Sequence, residues 1–366
     1  MRLRFLPWSI SLDAADITCF KTATAFEVFN EEMEPALSAK SDSPKSESTV
    51  RRDDLECLLA SVERNVADPL AGIFGADSIS WKINRESALF LGAGRAALLQ
   101  LAHPWVAVAL TQHSSLLSNP IARFHNTFRV VFTMNFGSAP QAFAAARSLH
   151  QLHTRIRGEL PSPVAGYAEG SSYAANYIPA LRWVYATLVE SAVLAYESVL
   201  PPLTAAERDA YYAESRMLAS LFGLPTAALP ADWGAFTAYI AAMCASDELG
   251  VDAQSRSMAQ SLLKGAGSWI HPPRWFRAMT AAWMPPRFQK EFELEFGPAE
   301  QQALQSARGW LPRVYRRIPA PVRFVGPFHE ACARIAHRNP GPLTRAGNRF
   351  WIGESRLPFS DSVDSL

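Results

Sequence analysis

His150 and His153 stand three residues apart in RSLHQLHTRIRG, residues 147 to 158. On an α-helix that spacing puts both imidazoles on one face, and a continuous helix would carry Arg157 onto the same face one turn beyond His153. Arg123 and Thr127, in ARFHNTF, are four apart and share a helical face in the same way. Neutral imidazole is the commonest metal ligand, and a guanidinium beside a hydroxyl can steady an oxygen that is gaining negative charge. The two pairs therefore supply a metal ligand and a polar, oxygen-directed group, provided the fold brings them together.

Their surroundings contain no acid. From Ser87 to Gly158 there is not one Asp or Glu, while the same span holds Arg95, Arg123, Arg129, Arg147, Arg155 and Arg157 with His103, His113, His125, His150 and His153. The whole chain has 35 basic and 34 acidic side chains, so charge is segregated along it. An unpaired charge inside a protein is costly. These arginines must then meet solvent, as helix-end side chains that keep their heads in water do, or acids distant in sequence, or a bound anion.

The segments that would position these residues read as helices. Asn84 is placed as the N-cap of a helix through ESALFLGAGRAALLQLAH, ended by Pro104. WVAVALTQHSSLL and IARFHNTFRVVFTMNF follow, the latter opened by Asn119 and Pro120. Gly137 stops that helix, and Ser138 caps the Ala-rich APQAFAAARSLHQLHTRIRG up to Gly158. Residues 159 to 176 read as loop. IPALRWVYATLVESAVLAYESVL is apolar on most faces, which predicts a central buried helix, and Thr204 with Glu207 forms a capping box for the next one. Upstream, RRDDLECLLASVERNV is helical and ADPLAGIFGADSISWKIN is a connecting loop. No alternating pattern is long enough to build a sheet, so the expectation is an all-α fold.

Length alone would permit about two domains, yet no linker interrupts the helical pattern, and one large domain over residues 51 to 354 is the simpler organisation. Residues 1 to 50 include the polar, Ser-rich LSAKSDSPKSESTV and are expected to be disordered or a weak targeting segment, and residues 355 to 366 a flexible tail. A net charge of +1 argues against a nucleic-acid partner. Cys19, Cys57, Cys244 and Cys332 lie far apart and form no CxxC pair, so reduced thiols, a cytoplasmic setting, no zinc knuckle and no c-type haem attachment are expected. No stretch reaches the roughly 18 uncharged apolar residues of a membrane span; peripheral membrane contact stays open.

LGAGRAA contains G-x-G-x-x-A at Gly92, Gly94 and Ala97. It is no dinucleotide fingerprint, because helix-like SALFL precedes it and no acid follows to hold a ribose. Such glycines let another backbone, or a flat ligand, come close. Paired histidines without H-E-x-x-H or a carboxylate base do not make a zinc hydrolase, and a non-haem iron triad lacks its carboxylate too. Imidazole in an apolar helical setting, ringed by arginines, suits haem, a flat apolar macrocycle with two propionates.

The ordered blocks LGAGRAALLQLAHPWVA, His113-Ser114, ARFHNTF, LHTRIRG and LRWVYATLVESA resemble the mpaB and rubber-oxygenase (latex clearing protein) catalytic-domain family, over about residues 65 to 250. AERDAYYAESRMLASLFGLP also fits. The resemblance implies a globin-like helical core holding haem b, and cleavage of a carbon–carbon double bond in a lipophilic, isoprenoid-like substrate with dioxygen. It implies His153 as the axial iron ligand and Arg123 and Thr127 on the opposite side. His150 and Arg157 are weaker candidates for the propionates. Three departures stand out: Asn126 where rubber oxygenases can have lysine, no acid before Arg123, which leaves the base role vacant or filled by a residue such as Gln112 or His113, and Tyr185 where relatives carry His. The alternative is a non-catalytic haem- or lipid-binding helical protein.

Overall fold

The helix expected to run from residue 85 to His103 is instead broken. In the computed structural model a 3₁₀ turn spans Ser87–Gly92 before the α-helix begins at Ala93. Asn84 ends a short preceding helix, which Ser78 caps by accepting from the Trp81 amide. The structure describes residues 48–113, 120–265 and 271–358; Ser114, Asn119, nearly all of the N-terminal segment and most of the tail lie outside them.

The described helices are α1 (Arg52–Glu63), α2 (Ile79–Asn84), α3 (Ala93–Leu101), α4 (Pro104–His113), α5 (Pro120–Phe136), α6 (Ala139–Thr154), α7 (Ile178–Glu197), α8 (Ala205–Leu221), α9 (Trp233–Ala245), α10 (Ala253–Lys264), α11 (Arg274–Trp283), α12 (Pro286–Glu291), α13 (Pro298–Tyr315), α14 (Ala320–Arg323), α15 (Gly326–Ile335) and α16 (Pro342–Ile352). Between α6 and α7 a two-stranded antiparallel ribbon pairs β1 (Arg157–Glu159) with β2 (Ser172–Ala174), Gly158 opposite Tyr173. The fold is all-α, and this ribbon is an addition to the expected loop. The described residues fall in one compact unit.

Helix α7 is the hub. It packs against α3, the 3₁₀ turn before it, α2 and α8. It is the one described helix long and apolar enough to cross a bilayer, but Trp183, Tyr185, Ala186 and Val189 are buried within the protein core. The glycines of LGAGRAA serve this packing. A Cβ on Gly92 would sit 2.5 Å from the Ser191 carbonyl oxygen of α7, and one on Gly94 2.6 Å from the Thr280 hydroxyl of α11. The close approach is to protein.

Helices α5 and α6 form a hairpin joined at Gly137 and Ser138. Ser138 and Gln141 make a capping box, as do Thr204 and Glu207 at α8, each satisfying amides that a helix start leaves bare. α6 ends at Thr154, so Arg157 leaves its face and enters β1. Along α5, Phe124, Phe128, Phe132 and Phe136 recur every four residues with successive ring centroids 4.6, 5.5 and 5.9 Å apart. α16 covers this row, its Trp351 stacked 4.2 Å from Phe90.

Candidate functional site

On α6 the inward stripe runs through Ala142, Ala146 and Leu149 to His153 in the last turn. His153 is partly buried, and its imidazole makes no hydrogen bond among the described residues. Burial, with the charges of Arg123 and His150 second and third, pushes it down to about 4, so the ring is neutral at pH 7 and its nitrogen lone pair is free.

Across the hairpin, Arg123 lies close enough for its charge to depress that imidazole. Burial lowers its own affinity for a proton, and no described residue hydrogen-bonds its guanidinium or pairs with it. Thr127, one turn on, donates its hydroxyl to the Arg123 carbonyl at 2.9 Å, which leaves the oxygen's lone pairs to face outward from the helix. The fold thus brings Arg123 near His153, with Thr127 one turn further along α5.

His150 and Arg157 sit at its edge. His150 is half-buried, held below its ordinary value first by burial and then by Arg52, with Glu56 opposing. Arg157 is exposed, and its Nε donates to the Thr154 carbonyl at 3.1 Å.

Three of the six arginines of the acid-free span answer to acids far away in the chain. Arg95 meets Glu190 at 2.5 Å, Ser191 at 3.0 Å and the Trp283 carbonyl at 2.9 Å. Arg147 pairs with Glu56 at 2.8 Å and Arg129 with Glu354 at 3.2 Å. Arg155 is exposed. Of the six, only Arg123 keeps a partly buried cation without a partner among the described residues, so the bound-anion explanation narrows to that one side chain.

Thr127 also lines a cavity of about 100 Å³ bounded by α2, α3, α5, α7 and α8. Leu89, Phe128, Val131, Phe132, Leu188 and Val189 make it mostly apolar. A few polar groups on its wall are bonded to one another: Asn84 donates to Asn135 at 2.8 Å, Tyr211 reaches Asn84 at 3.3 Å, and the Tyr185 and Ser215 hydroxyls are 2.7 Å apart. Tyr185, whose part was undecided from sequence, is therefore a cavity wall. The Asn84–Asn135 bridge was not foreseen, since it joins residues 51 apart, whereas the four-residue phenylalanine period was visible in IARFHNTFRVVFTMNF.

Gln112 and His113, the substitutes for an absent acid, are exposed and engaged elsewhere. Tyr173 donates to the Gln112 side chain at 2.7 Å, and His113 Nε2 lies 3.1 Å from the same hydroxyl and 3.2 Å from the Arg157 carbonyl. Gly158 allows this, because a Cβ there would strike the Tyr173 ring.

Among the described residues no three His, Cys, Asp or Glu side chains converge to hold a metal ion. A single free imidazole can hold iron only if the other coordination positions are filled by something the chain does not supply, and a porphyrin does that. The donor set, one neutral imidazole facing one unpaired cation, fits haem. The cavity does not: neither His153 nor Arg123 lines it, and at about 100 Å³ it falls short of the roughly 300–1,000 Å³ of small-molecule sites, so a macrocycle held by His153 would need space outside this cavity.

The family model described as "ER-bound oxygenase mpaB/B'/Rubber oxygenase, catalytic domain" matches residues 81–335, well over half of the chain. No curated protein and no solved structure matches.

Proposed function

This chain belongs to the mpaB/rubber-oxygenase catalytic-domain family, and from that premise we propose that it is a haem b oxygenase cleaving a carbon–carbon double bond of a lipophilic, isoprenoid-like substrate. Use of dioxygen comes with the family of oxygenases; haem and the substrate class are the proposal. The observation that carries it is the neutral, unbonded imidazole of His153 beside the unpaired guanidinium of Arg123.

His153 would hold the iron, and haem, when bound, would supply the redox chemistry on dioxygen. The remaining work falls to the chain. Arg123 keeps a fixed positive charge in a low-dielectric region, where it favours negative charge developing on oxygen without any reorganisation of solvent. Thr127 places a hydroxyl oxygen on the cavity wall, able to accept a hydrogen bond as it stands, or to donate one if it releases the Arg123 carbonyl. The walls from Phe128, Phe132, Leu89 and Val189 exclude water and match an alkene chain. Arg157, exposed on β1, and His150, half-buried on α6, would be the residues to meet the propionates.

Absorption spectroscopy of the purified protein after haem supplementation tests this directly. Native protein is expected to give a Soret band and, once reduced and aerated with a polyisoprenoid, carbonyl products. His153→Ala should abolish haem loading while leaving the helical signal intact. Loss of the band in His150→Ala, with His153→Ala normal, would sink the ligand assignment; a band without products from any alkene would favour a binding protein instead.

A further inference from the structure

A second acid-free stretch lies far from His153 in sequence. Between Glu300 and Glu330 there is no Asp or Glu, and the span carries Arg308, Arg313, Arg316, Arg317 and Arg323. Arg323 is used inside the protein, 3.1 Å from Glu86. The other four are exposed on or just after α13, and among the described residues none of them makes an ion pair. Arg313 and Arg316 donate only to carbonyls of their own helix, at Gly309 and Pro312.

The apolar surface is concentrated in the same place. Of the seven large apolar side chains exposed among the described residues, Trp310 (38%), Val314 (48%) and Val322 (64%) fall within thirteen consecutive positions. Leu304, Ala307 and Tyr315 turn the opposite side of α13 into the protein. Trp310, Arg313 and Val314 stand at i, i+3 and i+4 and share one outward flank of α13, and Arg316 and Arg317 follow in the turn at its end, so apolar groups and cations sit together there. Trp310 is braced edge to face against Trp275 of α11, ring centroids 5.6 Å apart.

We propose that this flank of α13 is a docking face for an anionic lipid bilayer. Uncompensated arginines attract an anionic leaflet, and each adds to binding near its surface. Tryptophan is at its most stable at the headgroup level, where the ring is apolar and the N–H stays hydrated. A helix whose other side is anchored in the fold can lie flat in that layer with Val314 and Trp310 pressed into the acyl boundary. The convex side of a helix carrying spread cations matches a surface of many equivalent negative headgroups. The proposal uses nothing from the haem site, so the two stand or fall separately.

Flotation of the full-length protein with vesicles decides it. Vesicles of phosphatidylcholine alone are compared with vesicles containing about one-third phosphatidylserine, at low and high salt. The native protein is expected to float with the anionic vesicles at low salt, and to be released by high salt. The double variants Arg313→Glu/Arg317→Glu and Trp310→Ser/Val314→Ser touch only the exposed flank. Each should retain the native melting temperature and lose at least about tenfold in vesicle partitioning. The proposal is overturned if the native protein fails to float, if it floats equally well with phosphatidylcholine alone, or if both variants float as the native protein does. Retention on soluble polyglutamate without flotation would overturn it in favour of an acidic protein partner.

Discussion

Arg95 and Arg123 come from the same acid-free span and meet opposite fates. Arg95, on α3, is one of the most completely bonded side chains among the described residues: Glu190, Ser191 and the Trp283 carbonyl take up its guanidinium where α3, α7 and α11 meet, and Gly92 and Gly94 just before it let α7 and α11 close in. Arg123, on α5, is also withdrawn from water, yet what faces it is a neutral imidazole. A buried cation with three partners is structural. One without a partner keeps an electrostatic demand that something outside the chain can meet. Lack of nearby acid in sequence therefore does not distinguish scaffold from site; the partner brought by the fold does.

The contrast can be broken at its structural end first. Arg95→Ala strands the Glu190 carboxylate and should cost about 3–5 kcal/mol in denaturant unfolding, without changing haem stoichiometry in the protein that remains folded. Next comes pH. With a folded value near 4 against about 6.5 in the unfolded chain, His153 binds fewer protons folded than unfolded between those values. Its share of stability is complete above about pH 6.5 and is lost as pH falls toward 4, by up to about 3 kcal/mol. His103, fully buried and likewise near 4, adds a parallel loss. Melting curves of His153→Ala over that window should show a shallower acid limb, while Arg95 variants keep the native slope; an unchanged slope in His153→Ala would mean that the imidazole is not held neutral.

Arg123→Met should behave as the inverse of Arg95→Ala. Removing a cation that has no partner leaves the melting temperature equal or higher, while turnover falls about a hundredfold. A stability loss as large as that of Arg95→Ala would dissolve the distinction between the two regions. The smallest effect is expected from Tyr185→Phe. Ser215 retains its bond to the Tyr212 carbonyl at 2.8 Å, so the cost is about 1 kcal/mol, with turnover within a few-fold of native. A much larger loss of turnover would extend the reacting region along the cavity to α7.

Much of the local architecture was legible before any coordinates. The cap at Ser138, the capping box at Thr204, the buried α7, the stop at Gly137 and the shared face of Arg123 and Thr127 follow from residue type and from short spacings along the chain. The misplacements also have local causes. SALFLG, between Glu86 and Ala93, turns as 3₁₀ where α7 presses on Gly92. LHTRIRG stops being helix at Thr154 because the ribbon takes Arg157. The candidate site was half legible: His153, Arg123 and Thr127 could be named as candidates, while the cavity-wall residues Asn84, Asn135 and Ser215 could not, since nothing in their neighbourhoods marks them.

Sequence by itself determined the all-α class, most of the helices, the segregation of charge and which side chains are candidates for the site, because these depend on residue type and on periodicities shorter than two turns. Tertiary structure alone decided which arginine was satisfied. Glu190, Glu56 and Glu354 lie 95, 91 and 225 residues from the guanidinia they neutralise. Coulomb attraction depends on distance through space, so only the folded chain could leave Arg123 as the cation still in need of a partner.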